Sequence, residues 1–216
     1  MIDTIIFDAE GVVIDTESIW DLGQQIFLGR RGIDYDRAKI KHLLTGRSLS
    51  EGAAVMQSEY SFPGDPEELG QERLAIVKDL FRHQVKFIEG FEEFFNRIRR
   101  FYKTCLATVM PKELLELADQ HLGLSNLFCE RIFTLNHIAN RSKPNPDLFL
   151  FAATQLNSDP QDCVVIEDSP YGIEAANRAG MKCIGLATTY EPEKLKGADF
   201  IVSNYSEINL AFLNQT

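Results

Sequence analysis

The sequence predicts an α/β fold, a doubly wound parallel sheet with an all-helical block inserted after the first strand. Three observations carry this. Short β-branched runs recur at 4–7, 104–109, 131–135, 163–166, 183–186 and 200–202. The later runs alternate with amphipathic stretches of helical period at 111–122, 147–156 and 171–179. Strands and helices alternating over short connections build a parallel sheet covered on both faces. Residues 16–87, by contrast, hold no convincing strand.

That middle stretch reads as helices at 17–30, 34–44, 49–60 and 66–82, broken at Gly32, at Gly46 and in the turn 61–65. The expected organisation is a core of residues 1–15 and 88–216 and a helical cap of residues 16–87. The core resumes at Glu89-Gly90 with an aromatic-rich helix. Phe91, Phe94, Phe95, Ile98 and Phe101 stand at helical spacing, the pattern of a face packed into a core.

Composition narrows the function. A hydrophobic content of 44% and a charged content of 25% suit a globular domain able to bury a sizeable core. The net charge of −10 argues against a broad nucleic-acid or anionic-membrane surface, which rewards clustered Lys and Arg. It leaves room for an anionic small molecule, because a metal and a few cations dominate a single pocket. Cys105, Cys129, Cys163 and Cys183 form no CxxC pair, and Cys105 and Cys163 lie inside apolar runs, as small buried hydrophobes do. No leader pattern and no run long enough to span a bilayer is evident. The expectation is a cytoplasmic protein, a monomer or weak homo-oligomer, with no nucleic-acid or membrane partner.

In a doubly wound sheet, ligands gather beyond the carboxyl ends of the strands. Here those ends carry chemistry. The first run, 4–7, delivers Asp8 and Glu10 before Gly11. Residues two apart in extended chain face the same side, so the two acids are expected to point together. The second strand ends in Thr108, Lys143 follows the third within SKPNPD, and the fourth ends in Glu167-Asp168-Ser169. Four acids, a hydroxyl and an amine at one sheet edge suit phosphoryl transfer, where a metal and a cation must neutralise the approach of a carboxylate to a phosphate. Mg²⁺ takes oxygen ligands, and Asp8 and Asp168 are the candidates. Glu167 either joins the metal site, directly or through water, or serves as a hydrogen-bond anchor. Lys143 would offset charge on Asp8 and the phosphoryl oxygens, and Thr108 would donate to one of them. Asp8 would be the nucleophile that forms an aspartyl-phosphate. Glu10 would protonate the leaving oxygen and then activate water.

These motifs, in this order, resemble those of the haloacid dehalogenase superfamily, in the branch with a helical cap after the first motif. EDSPYGIEAANRAGM, KPNPD and the turn Gly197-Ala198-Asp199 carry the likeness across nearly the whole chain. The β-phosphoglucomutase and phosphoglycolate-phosphatase group is the most similar. The resemblance implies a Rossmann-like core and a small phosphorylated metabolite as partner. It also implies Asp8 as nucleophile and Mg²⁺ ligand, the residue-10 carbonyl and Asp168 as further ligands, and Thr108 and Lys143 as phosphate contacts. The segment Thr45-Gly46-Arg47-Ser48 resembles the family's substrate-specificity loop. Arg47 either grips an anionic leaving group or is a solvated surface arginine.

Glu10 departs from the family pattern, which has Asp at this position. Acidity barely changes, since the two carboxylic acids differ by about 0.4 pKa units. Reach does change, and misplacement of about an ångström costs about a hundredfold in rate. The leading expectation is a Mg²⁺-dependent phosphatase. A sugar-phosphate mutase is the enzyme rival, but such mutases resemble this chain less in the cap. They carry a histidine where Trp20 stands and a basic residue where Leu49 stands. A catalytically impaired phosphometabolite-binding protein is the rival of another class, motivated by Glu10 and by Met110, where relatives often carry a small polar residue.

Overall fold

The computed structural model describes residues 1–44, 49–138 and 141–209. The chain divides into two compact units, Met1–Asp15 with Lys86–Thr216, and Thr16–Val85.

Strand β1 is Thr4–Phe7. Four helices follow, α1 (Thr16–Gly29), α2 (Arg37–Leu44), α3 (Leu49–Tyr60) and α4 (Pro66–His83). They make up the second unit. Helix α4 starts cleanly because Asp65 accepts from the backbone N–H groups of Glu67 and Glu68, with Pro66 at the first helical position. It buries Ile76, Val77, Leu80 and Phe81 on one face. The same helix buries Arg73, whose guanidinium donates to the Leu49 carbonyl at 2.6 Å and to Gln24 Oε1 at 3.3 Å.

The return to the α/β unit is a backbone clasp. Asp15 N donates to Lys86 O, and Ile88 N to Val13 O, both at 3.0 Å. Then come α5 (Phe91–Ile98), β2 (Lys103–Thr108), α6 (Lys112–Leu122), α7 (Leu124–Leu127) and β3 (Ile132–Thr134). The chain finishes with α8 (Asp147–Gln155), β4 (Cys163–Glu167), α9 (Pro170–Arg178), β5 (Lys182–Leu186) and β6 (Phe200–Val202). All six strands are parallel, in the order β3-β2-β1-β4-β5-β6. This is the doubly wound, Rossmann-like arrangement, and the order reverses at β1.

The central strands are buried on both faces, so successive residues enter different cores. Phe7 lies edge-on to Phe91, Phe94, Phe95 and Phe128, with ring centroids 5.7, 6.3, 5.9 and 5.8 Å away. Its neighbour Ile6 belongs to the opposite layer, among Cys105, Cys163, Cys183 and the apolar faces of α8 and α9. Small residues on α9, Ala175 and Ala176, allow that close helix–sheet approach.

One expectation changes, and one short helix is added. Phe101 is 79% exposed. Helix α5 ends at Ile98, and the following turn carries the ring off the buried face. Helix α7 has four residues, too few for a hydrophobic period to announce it.

Candidate active site

Register assembles the site. Phe7 lies opposite Leu106 of β2 and Ile166 of β4. The next residue, Asp8, donates its backbone N–H to Ile166 O at 3.0 Å, so it leaves the sheet between the ends of β2 and β4. That is where strand order reverses, the crevice in which doubly wound sheets bind ligands. Asp8 is 5% exposed.

Glu10 reaches the site by another route than pleat alternation. The strand stops at Phe7 and the chain bends at Ala9. The Ala9 carbonyl then collects the N–H groups of Val13 and Ile14 at 2.9 and 2.8 Å. Gly11 takes φ 70°, a left-handed conformation suited to glycine, and Glu10 pairs with Ile14 in an isolated bridge. A tight turn therefore sets the position of Glu10, and its charge still acts on Asp8.

Lys143 is the hub. Its ammonium donates to Asp8 Oδ1, and to Glu167 Oε1 at 2.5 Å. It also lies 5.1 Å from the Phe149 ring centroid. Only 7% of its side chain is exposed, against 7% for Asp8 and 1% for Glu167. The other Glu167 oxygen, Oε2, accepts from Asp168 N, Ser169 N and Ser169 Oγ, each at 2.9 Å. Of the two parts open to Glu167 in the sequence, this geometry supports the anchor. Its carboxylate ties Lys143 to the start of α9. Gly172 makes the room, because a Cβ there would meet Glu167 Oε1 at 1.8 Å.

Asp168 is 6% exposed, and the Thr189 hydroxyl beside it favours its charged form. It packs so closely on the turn after β1 that a Cβ on Gly11 would meet Asp168 Oδ2 at 2.0 Å. Thr108 ends β2 fully buried, its Oγ1 accepting Met110 N at 3.0 Å, so its hydroxyl proton can still be donated. Met110 is itself 3% exposed. Arg47 lies outside the described residues. Thr188 and Thr189 also reach this region, and their place just after the run 183–186 is the only signal of them in the sequence.

The electrostatics follow from burial. Burial pushes the Asp8 carboxyl up, Lys143 pulls it back, and Glu167 and Glu10 push it up again, to about 7. Burial, with Glu167 and Asp8, raises Asp168 well above the usual carboxylate range. Lys143 is raised, because Asp8 and Glu167 together outweigh the burial that disfavours its charge. When all are ionised, three buried carboxylates face one ammonium. Surplus negative charge in a dry site calls for a further cation. Among the described residues no group of three or more His, Cys, Asp or Glu is arranged to hold a metal. Two carboxylates nevertheless fit Mg²⁺, which completes its shell with carbonyls, phosphate oxygens and water. Asp8 and Asp168 would hold it.

The sequence matches the haloacid dehalogenase-like hydrolases over residues 2–180. A probable pseudouridine-5'-phosphatase of Drosophila melanogaster is 31% identical, covering 83% of this chain and 79% of that protein. The validoxylamine A 7'-phosphate phosphatase of Streptomyces hygroscopicus subsp. limoneus is 29% identical over 96% of each chain. Among solved structures, a HAD family hydrolase from Deinococcus radiodurans R1, with bound phosphate and sodium, superposes with a TM-score of 0.83 at 28% identity. That match covers 98% of this chain and 95% of the other. Across both its sequence and its six-stranded sheet, this chain belongs to the haloacid dehalogenase-like hydrolase family of enzymes.

Proposed function

We propose that the chain is a Mg²⁺-dependent phosphoric monoester hydrolase acting on a small soluble phosphomonoester, a sugar phosphate or similar metabolite. One observation supports this above the others. The buried ammonium of Lys143 touches two of three buried carboxylates at the strand-order reversal, leaving a surplus suited to a divalent ion. When bound, Mg²⁺ supplies charge neutralisation for the phosphoryl group and for the carboxylates around it.

In this reading an Asp8 carboxylate oxygen attacks phosphorus, and the ester P–O bond breaks with Glu10 protonating the departing oxygen. Glu10 then takes a proton from water as the water oxygen attacks phosphorus. The bond to Asp8 breaks, releasing phosphate and restoring the carboxylate. Lys143 and Thr108 hold phosphoryl oxygens, and Glu167 keeps Lys143 in place. The helical unit, 16–85, is the inserted cap, and the setting is a reduced cytoplasm. Trp20 and Leu49 give mutase chemistry no basic partner at those positions.

A phosphate-release screen with Mg²⁺ over sugar phosphates, phosphoglycolate and nucleotides tests the reading. Turnover should appear with wild type and vanish with Asp8→Asn. Isomerised sugar phosphate without free phosphate would establish the mutase instead. Tight metabolite binding with no turnover would establish the impaired binder.

A further inference from the structure

We infer that Thr188 and Thr189, on the loop after β5, are positioning residues, Thr189 for the divalent-cation site and Thr188 for the proton-transferring acid. Thr189 orients the Asp168 carboxylate, and Thr188 fixes the turn that carries Glu10. The inference rests on the reading above, because it concerns the same site.

Consecutive residues reach two different parts of the site. Thr188 Oγ1 donates to the Gly11 carbonyl at 2.5 Å, across 177 residues of sequence. Thr189 Oγ1 lies beside the Asp168 carboxylate and favours its charged form. The two anchor points are themselves in contact. A Cβ on Gly11 would meet Asp168 Oδ2 at 2.0 Å and Thr189 Oγ1 at 2.5 Å, so turn, carboxylate and hydroxyl converge on one point. The loop that presents them is stiff. Ala187 N donates to Val202 O, extending the pairing of β5 with β6, and Thr188 N donates to Leu186 O, both at 2.9 Å.

Hydroxyls suit this task because they carry no charge. A lysine or arginine beside Asp168 would hold it equally well but would cancel the negative charge a divalent cation needs. A threonine hydroxyl fixes the carboxylate and leaves its charge intact. Thr188 acts on a backbone carbonyl. It constrains the turn at residue 11, one residue past a Glu whose longer side chain makes backbone placement matter more.

The test compares wild type with Thr189→Val, Thr189→Ser and Thr188→Val in the full chain. Mg²⁺ affinity is read by calorimetry and by the Mg²⁺-induced rise in Tm, independently of turnover. Loss of a group that orients a ligand typically weakens metal binding about 10–100-fold. Thr189→Val should show that loss and Thr189→Ser should recover most of it. Thr188→Val should bind Mg²⁺ within about threefold of wild type, yet lose about tenfold in kcat at unchanged KM. If Thr189→Val folds and binds Mg²⁺ as wild type does, the inference is overturned and the functional reading stands. If Thr189→Val does not fold, Thr189→Ala takes its place. Wild type that neither binds Mg²⁺ nor releases phosphate overturns the reading and this inference with it.

Discussion

Among the described residues each unit of the chain buries one basic side chain, and the two are treated in opposite ways. Lys143 in the α/β unit meets Asp8 and Glu167, and the acids outweigh the burial that disfavours its charge. Arg73 in the helical unit meets a backbone carbonyl and a glutamine, and its Nε has no partner among the described residues. Burial alone lowers Arg73, to about 10. One cation is embedded in excess negative charge, and the other is met only by neutral groups. Charge is concentrated where chemistry is proposed. In the helical unit the guanidinium instead ties α4 to the first residue of α3.

The largest test of this contrast is Lys143→Met. It leaves Asp8 and Glu167 buried without a counter-ion, which typically costs about 3–5 kcal/mol. Denaturant unfolding of metal-free protein near neutral pH should show that loss, with turnover abolished as well. Preserved stability would mean the carboxylates are relieved in some other way.

Next in size is Glu10→Gln. Removing the proton donor while keeping its shape should lower kcat about a hundredfold. Full turnover would deny Glu10 its acid/base part. A gain from Glu10→Asp would show that side-chain length, not acidity, limits the natural residue.

A pH series is subtler. Asp8 sits near 7 in the folded protein, above the ordinary 3.8. The folded state therefore holds this proton more tightly than the unfolded chain does. The stability it contributes is complete below about pH 4 and is lost as pH rises through about 7. Metal-free protein should lose Tm between about pH 5 and pH 8, and Asp8→Asn should flatten the curve. Added Mg²⁺ should raise Tm more at the alkaline end, since it binds the ionised carboxylates. A metal-free Tm that climbs over that interval would contradict the assignment.

Smallest is Arg73→Met. It removes two hydrogen bonds together with a desolvated charge, terms of opposite sign, so stability should move by about 1 kcal/mol or less. A loss matching that of Lys143→Met would end the distinction between the two cations.

Much of this was legible beforehand, and the failures share one cause. Strand and helix positions follow from periodicities of two and 3.6, which are local. Phe101 shows the limit, since its spacing fits the helix face but the helix stops three residues earlier. Asp8 and Glu10 show another, because alternation holds only while the chain stays extended, and it bends at Ala9. For Glu167, its place at a strand end was readable but its part was not. Three donors on one oxygen and Lys143 on the other are a fact of packing.

The sequence by itself determined the alternation of strands and helices, the inserted helical block, and the placing of acids, threonine and lysine at strand ends. Each of these is written in neighbouring residues. Only the tertiary structure decided which groups meet. Asp8 and Lys143 are 135 residues apart, and Thr188 and Gly11 are 177 apart. Strand order, the parallel register of β1 with β2 and β4, and the room left by Gly11 and Gly172 join them. Local pattern fixes which face a side chain occupies. Its partner is chosen by how the whole sheet closes around it.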